Sequence, residues 1–379
     1  MRKVIAVDGT FLKAKFMGTL IVATAQDGDT HIYPIAFGIV DSENDAAYKW
    51  FFSHLKSVIL DHPNLVFISD RHQSIEKAIT AVFPSANRGI CFFHLEKNLI
   101  TNHRANRLPH LVKKAANTYS RDEFTNIMDE IRRLNPKLSK DLENADIRLW
   151  SPHFQGNRYN ITTNNIAESI NGLLKEPREY PIVAFLDHVR DILARWFCER
   201  REKAAKLVTE LGPYADRKVE ARRVEADTLA VQPINLNQFH VTGGSQDAVV
   251  DMQKLSCSCR AFDIDKIPCK HAIAVAKKKQ IQAHTLSDPC YTRNYLFAAY
   301  SESIFPVLGI LNDSQIPPEV QNRQCLPPKG RSRSGRPKKK RYISSLEIAM
   351  ANNGPRKEHK CSRCKLPRHN KATCQTALP

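Results

Sequence analysis

The sequence predicts an α/β core interrupted by an all-helical stretch, then a small zinc-held module, then a basic tail. Three observations carry this. In the first hundred residues, short apolar runs bounded by turn residues alternate with segments of helical spacing. From about residue 95 to 150 the text is helical, with no strand-like run. Further on, Cys257, Cys259, Cys269 and His271 stand as Cys-x-Cys-x9-Cys-x-His, a spacing that suits a closed tetrahedral zinc shell.

Val4–Val7 reads as a short apolar strand ending at Asp8. GTLIVATA (18–25) and IYPIAFGIV (32–40) are two more, separated by the turn Asp27-Gly28-Asp29. From Asp45 to Leu60 the apolar residues Tyr48, Phe51, Phe52, Leu55, Val58 and Ile59 recur at helical spacing. LVFIS (65–69) is a buried-type strand ending at Asp70, residues 73–83 read as a helix closed by Pro84, and Gly89–Phe93 as a fifth strand. Three strands joined by turns, then helix, strand, helix, strand, describe a sheet of mixed direction. Helices are expected again over Ile166–Lys175 and Val183–Leu211. A β-rich segment at about 229–260, with Gly243-Gly244 as a hairpin turn, leads into the zinc stretch.

In that stretch two close cysteines can clamp a metal from one turn, and Cys269-x-His271 completes the shell from the first turn of the helix HAIAVAKKK. A buried free thiol is the ordinary alternative for one cysteine, but it does not explain four such residues at clamp spacing. A second candidate closes the chain. Cys361, Cys364, His369 and Cys374 have zinc-knuckle spacing, and knuckles are a single-strand-binding module. Arg368 stands before the His, where a tight turn favours glycine, and a disordered basic tail that happens to contain cysteines is the competing reading. Together the two sets predict about two zinc ions per chain.

Net charge is +18, but its distribution says more than the sum. From Leu326 onward fifteen Lys and Arg face two Glu, so most of the charge sits in the tail. A polycation of this kind seeks nucleic acid, because each phosphate it neutralises releases condensed counterions. A solubilising tail has the same composition. Most of the ten cysteines fall in sets with a histidine nearby, which points to metal sites in a reducing compartment over a disulfide-stapled fold. Only four apolar residues separate Met1-Arg2-Lys3 from Asp8, too few for a signal peptide, and no run approaches the roughly 18 apolar residues of a membrane span. The expectation is a soluble intracellular protein without membrane contact.

Two acids stand where a metal-dependent phosphoryl-transfer site would put them. Asp8 follows the first strand and Asp70 the fourth. If those strands are parallel neighbours, both carboxylates emerge at one edge, an oxygen cluster that hard cations such as Mg2+ favour. Glu168 is the candidate third acid, in the first turn of a helix that Asn164 or Asn165 can cap. Strand-end turn residues and helix-start carboxylates occupy the same positions for ordinary reasons, and spacing alone leaves both readings open.

DGTFLKAKFMGTLIVATAQDGDTHIYPIAFGIVDSENDAAYKWFFSHL, FISDRHQSIEKAITAVFP, CFFHLEKN and TTNNIAESINGLLK resemble, in this order, the transposases of plant Mutator-like elements. CSCRAF…IPCKHAIA is similar to the SWIM zinc finger that follows the catalytic core in that family, and GRPKKKR with the terminal knuckle resembles its usual C-terminal end. The resemblance covers nearly the whole chain. It implies a ribonuclease-H-like core of DDE type with a helical insertion before the last acid. Asp8 would be the first acid, Asp70 the second and Glu168 the third, holding Mg2+ or Mn2+. Cys91 and His94 match the family's Cys-x2-His motif. Two ligands there are too few for a zinc site, and a strand-end Cys with a capping His is the plain alternative.

The implied organisation is a catalytic domain at 1–200 with its insertion at about 95–160, a helical connector at 201–228, the SWIM finger at 229–285, a linker and basic segment at 286–355 and the knuckle at 356–379. Family members usually carry a DNA-binding region ahead of the DGTF strand, which here begins four residues from Met1, so a truncated or domesticated derivative is expected alongside an active enzyme. Arg331, Arg333, Arg336 and Lys338 resemble an AT-hook around Gly335-Arg336-Pro337, with Ser334 where an Arg is usual. Lys338, Lys339, Lys340 and Arg341 read as a nuclear import patch. The expected partner is DNA, with single-stranded nucleic acid at the knuckle. The expected compartment is the nucleus, and oligomers are compatible with all of this.

Overall fold

Val4–Phe11 (β1) forms the centre of a five-stranded sheet, because residues 4–7 are apolar without a break and only a strand covered on both faces can bury such a run. The computed structural model describes residues 1–13, 17–103, 108–151, 158–244 and 246–306, with Cys361, Ser362, Cys364 and Cys374. Thr19–Gln26 (β2) pairs antiparallel with β1, and Ile32–Val40 (β3) antiparallel with β2. The β2–β3 turn is held by the Asp27 carboxylate, which accepts from the backbone N–H groups of Asp29 and His31. Asp45–Lys56 (α1) is capped by the Asn44 side chain and lays Tyr48, Phe51, Phe52 and Leu55 on one face of the sheet. Val66–Ser69 (β4) lies parallel to β1, Gln73–Val82 (α2) packs beside α1, and Asn87–Ile90 (β5) lies parallel to β4. The sheet order is β3-β2-β1-β4-β5. Phe52 is fully buried and meets Phe51, Phe67 and Phe83 edge-on. Truncating a ring so placed costs about 3–5 kcal/mol.

The helical stretch follows. Phe92–His103 (α3), Pro109–Asn117 (α4), Arg121–Leu134 (α5), Pro136–Asn144 (α6) and Ile147–Trp150 (α7) close their own core around the fully buried Trp150. Ser120 and Asn135 cap α5 and α6 through their side chains, and Pro109 and Pro136 open α4 and α6, where a missing N–H does no harm. Asn165–Leu173 (α8) and Ile182–Ala205 (α9) then return to the second face of the large sheet, against Leu20 and Val22. Pro213–Ala226 (α10) connects to a second sheet of Ala230–Pro233 (β6), Gln238–Thr242 (β7), Ala248–Asp251 (β8) and Ser256–Cys257 (β9), antiparallel throughout. Ala261–Asp265 (α11), Lys270–Lys278 (α12) and Arg293–Ala299 (α13) complete it.

One core joins the two sheets. Val4, Val66 and Ile68 share a buried cluster with Ala215 and Val219 of α10 and with Phe239, Val241, Phe262 and Val275 of the second sheet and its helices. Asp265, 2% exposed, ties the same seam, taking Lys218, Arg222 and the Tyr119 hydroxyl of the helical stretch.

Three expectations change. The first strand does not stop before Asp8 but runs through it to Phe11, with Asp8 paired to Val22, because β2 continues alongside. The fifth strand ends at Ile90: Cys91 makes the last ladder bond to Ser69, and the Leu95 N–H then turns back to the Cys91 carbonyl to begin α3. The long helix expected to Leu211 breaks after Ala205, since Leu211 pairs with Thr292 and Gly212-Pro213 starts a new helix. Among the described residues no helix is long and apolar enough to cross a membrane.

Candidate functional site

Strand period places the acids. Val4, Ala6 and Asp8 alternate onto the α8 face of β1, while Ile5, Val7 and Gly9 face α1. The parallel register pairs Val4 with Val66 and Ala6 with Ile68, so two more residues bring Asp70 level with Asp8. On the far side of β4, Ser69 pairs with Ile90, which brings Cys91 level with Asp70. Asp8, Asp70 and Cys91 therefore form a row along one rim of the sheet. Helix α8 lies over this row: Asn164 Nδ2 donates to Asp8 Oδ1 at 3.3 Å and Asn171 Nδ2 to Asp8 Oδ2 at 2.6 Å. Asn164 sits at the N-cap position but makes no side-chain cap bond; its amide is spent on Asp8 instead. Glu168 is in the first turn of that helix, as expected.

Electrostatics confirm proximity. Burial raises the Asp8 carboxyl to about 7, and Glu168, Asp70 and Glu43 each push in the same direction, while the Asn171 hydrogen bond opposes them. Asp8 thus feels both other expected acids, yet among the described residues the three do not form a set with ligand atoms all within 4.8 Å. Glu168 turns instead toward Cys91 and His94, with which it does form such a set. Several buried oxygens around Asp8 have no hydrogen-bond partner among the described residues: Glu168 Oε1, Asn164 Oδ1 and Asn171 Oδ1. Two of these are amide oxygens and one a carboxylate oxygen, hard donors of the kind that Mg2+ or Mn2+ takes.

The Cys/His cluster is built locally. Strand β9 delivers Cys257, whose N–H donates to Asp263, and Arg260 in the left-handed region turns the chain so that Cys259 faces back. Cys269 is the N-cap of α12 and His271 lies in its first turn. His271 Nδ1 is 3.7 Å from Cys257 Sγ and 3.9 Å from Cys269 Sγ. Two ligands on one tetrahedral zinc stand about 3.6 Å apart, given Zn–S near 2.3 Å and Zn–N near 2.05 Å. Hydrogen bonds from Cys257 and then Cys269 hold the Cys259 thiol far below its usual range, while the Cys257 thiol is pushed up by those shared bonds and by burial. Such a shared set of protons is what zinc displaces, and the donor set fits it. In the tail, the Cys361, Cys364 and Cys374 sulfurs also lie within 4.8 Å of one another. His369 and the basic residues Arg331, Arg333, Arg336, Lys338, Lys339, Lys340 and Arg341 lie outside the described residues.

Residues 4–98 match the family model of the MULE transposase domain, and residues 239–280 match that of the SWIM zinc finger. The chain carries a MULE transposase domain and a SWIM zinc finger. It is a transposase-like, zinc-binding protein. A search of curated proteins returns no match. The MULE match contains Asp8, Asp70, Cys91 and His94 but stops before α8, and the SWIM match contains all four Cys/His ligands.

Several neighbours of Asp8 escaped the sequence reading. Gly9 lies against Glu43 and Tyr48; a Cβ there would stand 2.6 Å from Glu43 Oε1 and 3.0 Å from the Tyr48 hydroxyl. Burial raises the Tyr48 phenol, and Glu43, Asp70 and Asp8 add to it. A glycine inside a strand marks such close approach, so Asp8-Gly9 carried a usable signal. Asn171 carried none, since an Asn two turns into a helix has many ordinary explanations.

Proposed function

We propose that the MULE domain is a ribonuclease-H-like nuclease and strand-transfer enzyme, acting on DNA with Asp8, Asp70 and Glu168 as its DDE acids. The observation that carries this reading is the seating of α8 over β1, with Asn164 and Asn171 on Asp8 and Glu168 between them in sequence. The strand order β3-β2-β1-β4-β5, with β2 alone antiparallel to its neighbours, supports the fold. Bound Mg2+ or Mn2+ would polarise the phosphodiester and lower the pKa of attacking water. The chain's own residues do the rest. Asp8 and Asp70 supply oxygens from a rigid rim, Asn164 and Asn171 fix the Asp8 carboxylate between two donors, and α8 carries Glu168 against the row. The basic segment from Arg331 supplies DNA affinity and nuclear import, and the terminal knuckle takes single strands.

The test is metal-dependent cleavage of a DNA duplex by the purified chain and by Asp70→Ala. Cleavage with Mg2+ or Mn2+ that the substitution lowers by at least about a thousandfold supports the reading. Equal activity in the two proteins overturns it. DNA binding without cleavage by either leaves a noncatalytic, domesticated DNA-binding factor built on the transposase scaffold.

A further inference from the structure

Glu168 Oε1 and His94 Nδ1 are 3.8 Å apart, both are buried as atoms, and neither has a hydrogen-bond partner among the described residues. That separation is too long for a hydrogen bond. It is close to the roughly 3.4 Å expected between a nitrogen and an oxygen ligand on one tetrahedral zinc. The Cys91 sulfur completes the set, all three ligand atoms lying within 4.8 Å of one another. The side chains of His94 and Glu168 remain 38% and 33% exposed, so an ion has a way in.

We propose that Cys91, His94 and Glu168 form a third zinc-type site, with three protein ligands and one open position, at the end of the acid row. The thiol and the imidazole select a soft or borderline cation such as Zn2+ over Mg2+, which wants oxygen alone. Burial holds the free Cys91 thiol above its usual range, while the N–H groups of Asn164, His94 and Phe93 that face the sulfur oppose that rise. Two hydrogen bonds fix the frame. Cys91 N–H donates to the Ser69 carbonyl beside Asp70, and Phe92 N–H donates to Thr162, just ahead of α8. The ligands are therefore presented by the β5–α3 junction, α3 and α8 with little freedom to adapt. The consequence for catalysis rests on the nuclease reading: an ion held here takes Glu168 away from Asp8 and Asp70, so zinc would inhibit cleavage. The site itself does not depend on that reading.

The experiment counts metal. The full chain is loaded with two equivalents of Zn2+, enough for its two Cys-rich clusters and no more, then titrated with Co2+, following uptake by calorimetry and thiolate-to-cobalt charge transfer by absorption. Wild type should take one further ion per chain with a single-thiolate signature. Cys91→Ser should lose that signature, and His94→Ala and Glu168→Gln should each weaken uptake by about tenfold or more. No further uptake by the loaded wild type overturns the site, leaving a weak ion pair between His94 and Glu168. Uptake unchanged in Cys91→Ser and His94→Ala, both shown folded by circular dichroism, overturns it equally. Asp70→Ala separates the two readings, since it should keep the extra ion while losing cleavage. Uptake in a wild type that fails to cleave DNA with Mg2+ or Mn2+ even before this ion is added would sink the nuclease reading and leave the metal site standing.

Discussion

The Asp8 cluster and the Cys257–His271 cluster both gather side chains of ligand type, and they are built in opposite ways. The cluster draws four ligands from fifteen consecutive residues, seats three of them in the buried class and forms a closed shell. The acid site draws on β1, β4 and α8, spans 160 residues of chain, stays partly open and leaves buried oxygens without a partner among the described residues. A structural ion wants every position filled by protein, whereas a working ion needs positions for substrate. The difference predicts that the first ion supports the fold and that the second relieves an electrostatic penalty which the fold tolerates.

The largest effect is expected at the finger. Structural zinc contributes on the order of 10 kcal/mol or more of folding free energy. Cys269→Ser should lose that ion and unfold β6–β9 with α12. Because Val4, Val66 and Ile68 share a core with Phe239, Phe262 and Val275, the loss should also lower the melting temperature of the large sheet. Zinc content and thermal circular dichroism, measured on one sample, check this. A sheet that melts as in wild type would mean that the seam carries no stability.

Asp265 tests the seam without touching a ligand. Its carboxylate, 2% exposed, holds Lys218 and Arg222. Asp265→Ala removes the acceptor that Lys218, Arg222 and the Tyr119 hydroxyl share and should destabilise by roughly 1–3 kcal/mol. Urea unfolding followed at both tryptophan and far-ultraviolet signals reads the loss. If it confines itself to the finger, the two regions are less coupled than their common core suggests.

How much of this was legible follows from the same contrast. The finger could be read because its ligands are local and their residue types rare. A turn and a helix start were enough to bring them together. The sheet could be read because its strands are apolar runs, though their ends could not: nothing in VIAVDGTF says that β2 will keep pairing past Asp8 to Phe11. The acids could be named, but their convergence depends on a parallel register and on a helix returning after the helical stretch. Neither leaves a periodic trace. The turn of Glu168 toward Cys91 and His94 was illegible for the same reason, since it depends on how α3 and α8 cross.

The acid site makes a pH-dependent prediction. The Asp8 carboxyl titrates at about 7 in the folded chain and near 3.8 as an unperturbed group. Between those values the folded state binds more protons than the unfolded state, so stability falls as pH rises through this window. Without divalent metal, the loss from pH 4 to pH 8 should reach roughly 2–4 kcal/mol. Saturating Mg2+ or Mn2+ should remove most of it, and Asp8→Asn should flatten the profile. A metal-free profile as flat as that of Asp8→Asn would mean that Asp8 is ionised at no penalty, and the site would lose its stored repulsion.

The smallest effect discriminates most sharply. Asn171 opposes the upward pressure on Asp8 through its 2.6 Å hydrogen bond. A hydrogen bond to a charged group contributes about 1.5 kcal/mol, which corresponds to a roughly tenfold change in proton affinity. In Asn171→Ala the carboxyl should therefore hold its proton more tightly, and protons then compete better with metal. At pH 7 the apparent affinity for Mn2+ should fall about fivefold, and at pH 9, where Asp8 is ionised in both proteins, the difference should nearly vanish. Calorimetric titration at the two pH values reads this directly. A loss of the same size at both would make Asn171 a ligand or a packing residue, and its role in setting the charge of Asp8 would fall.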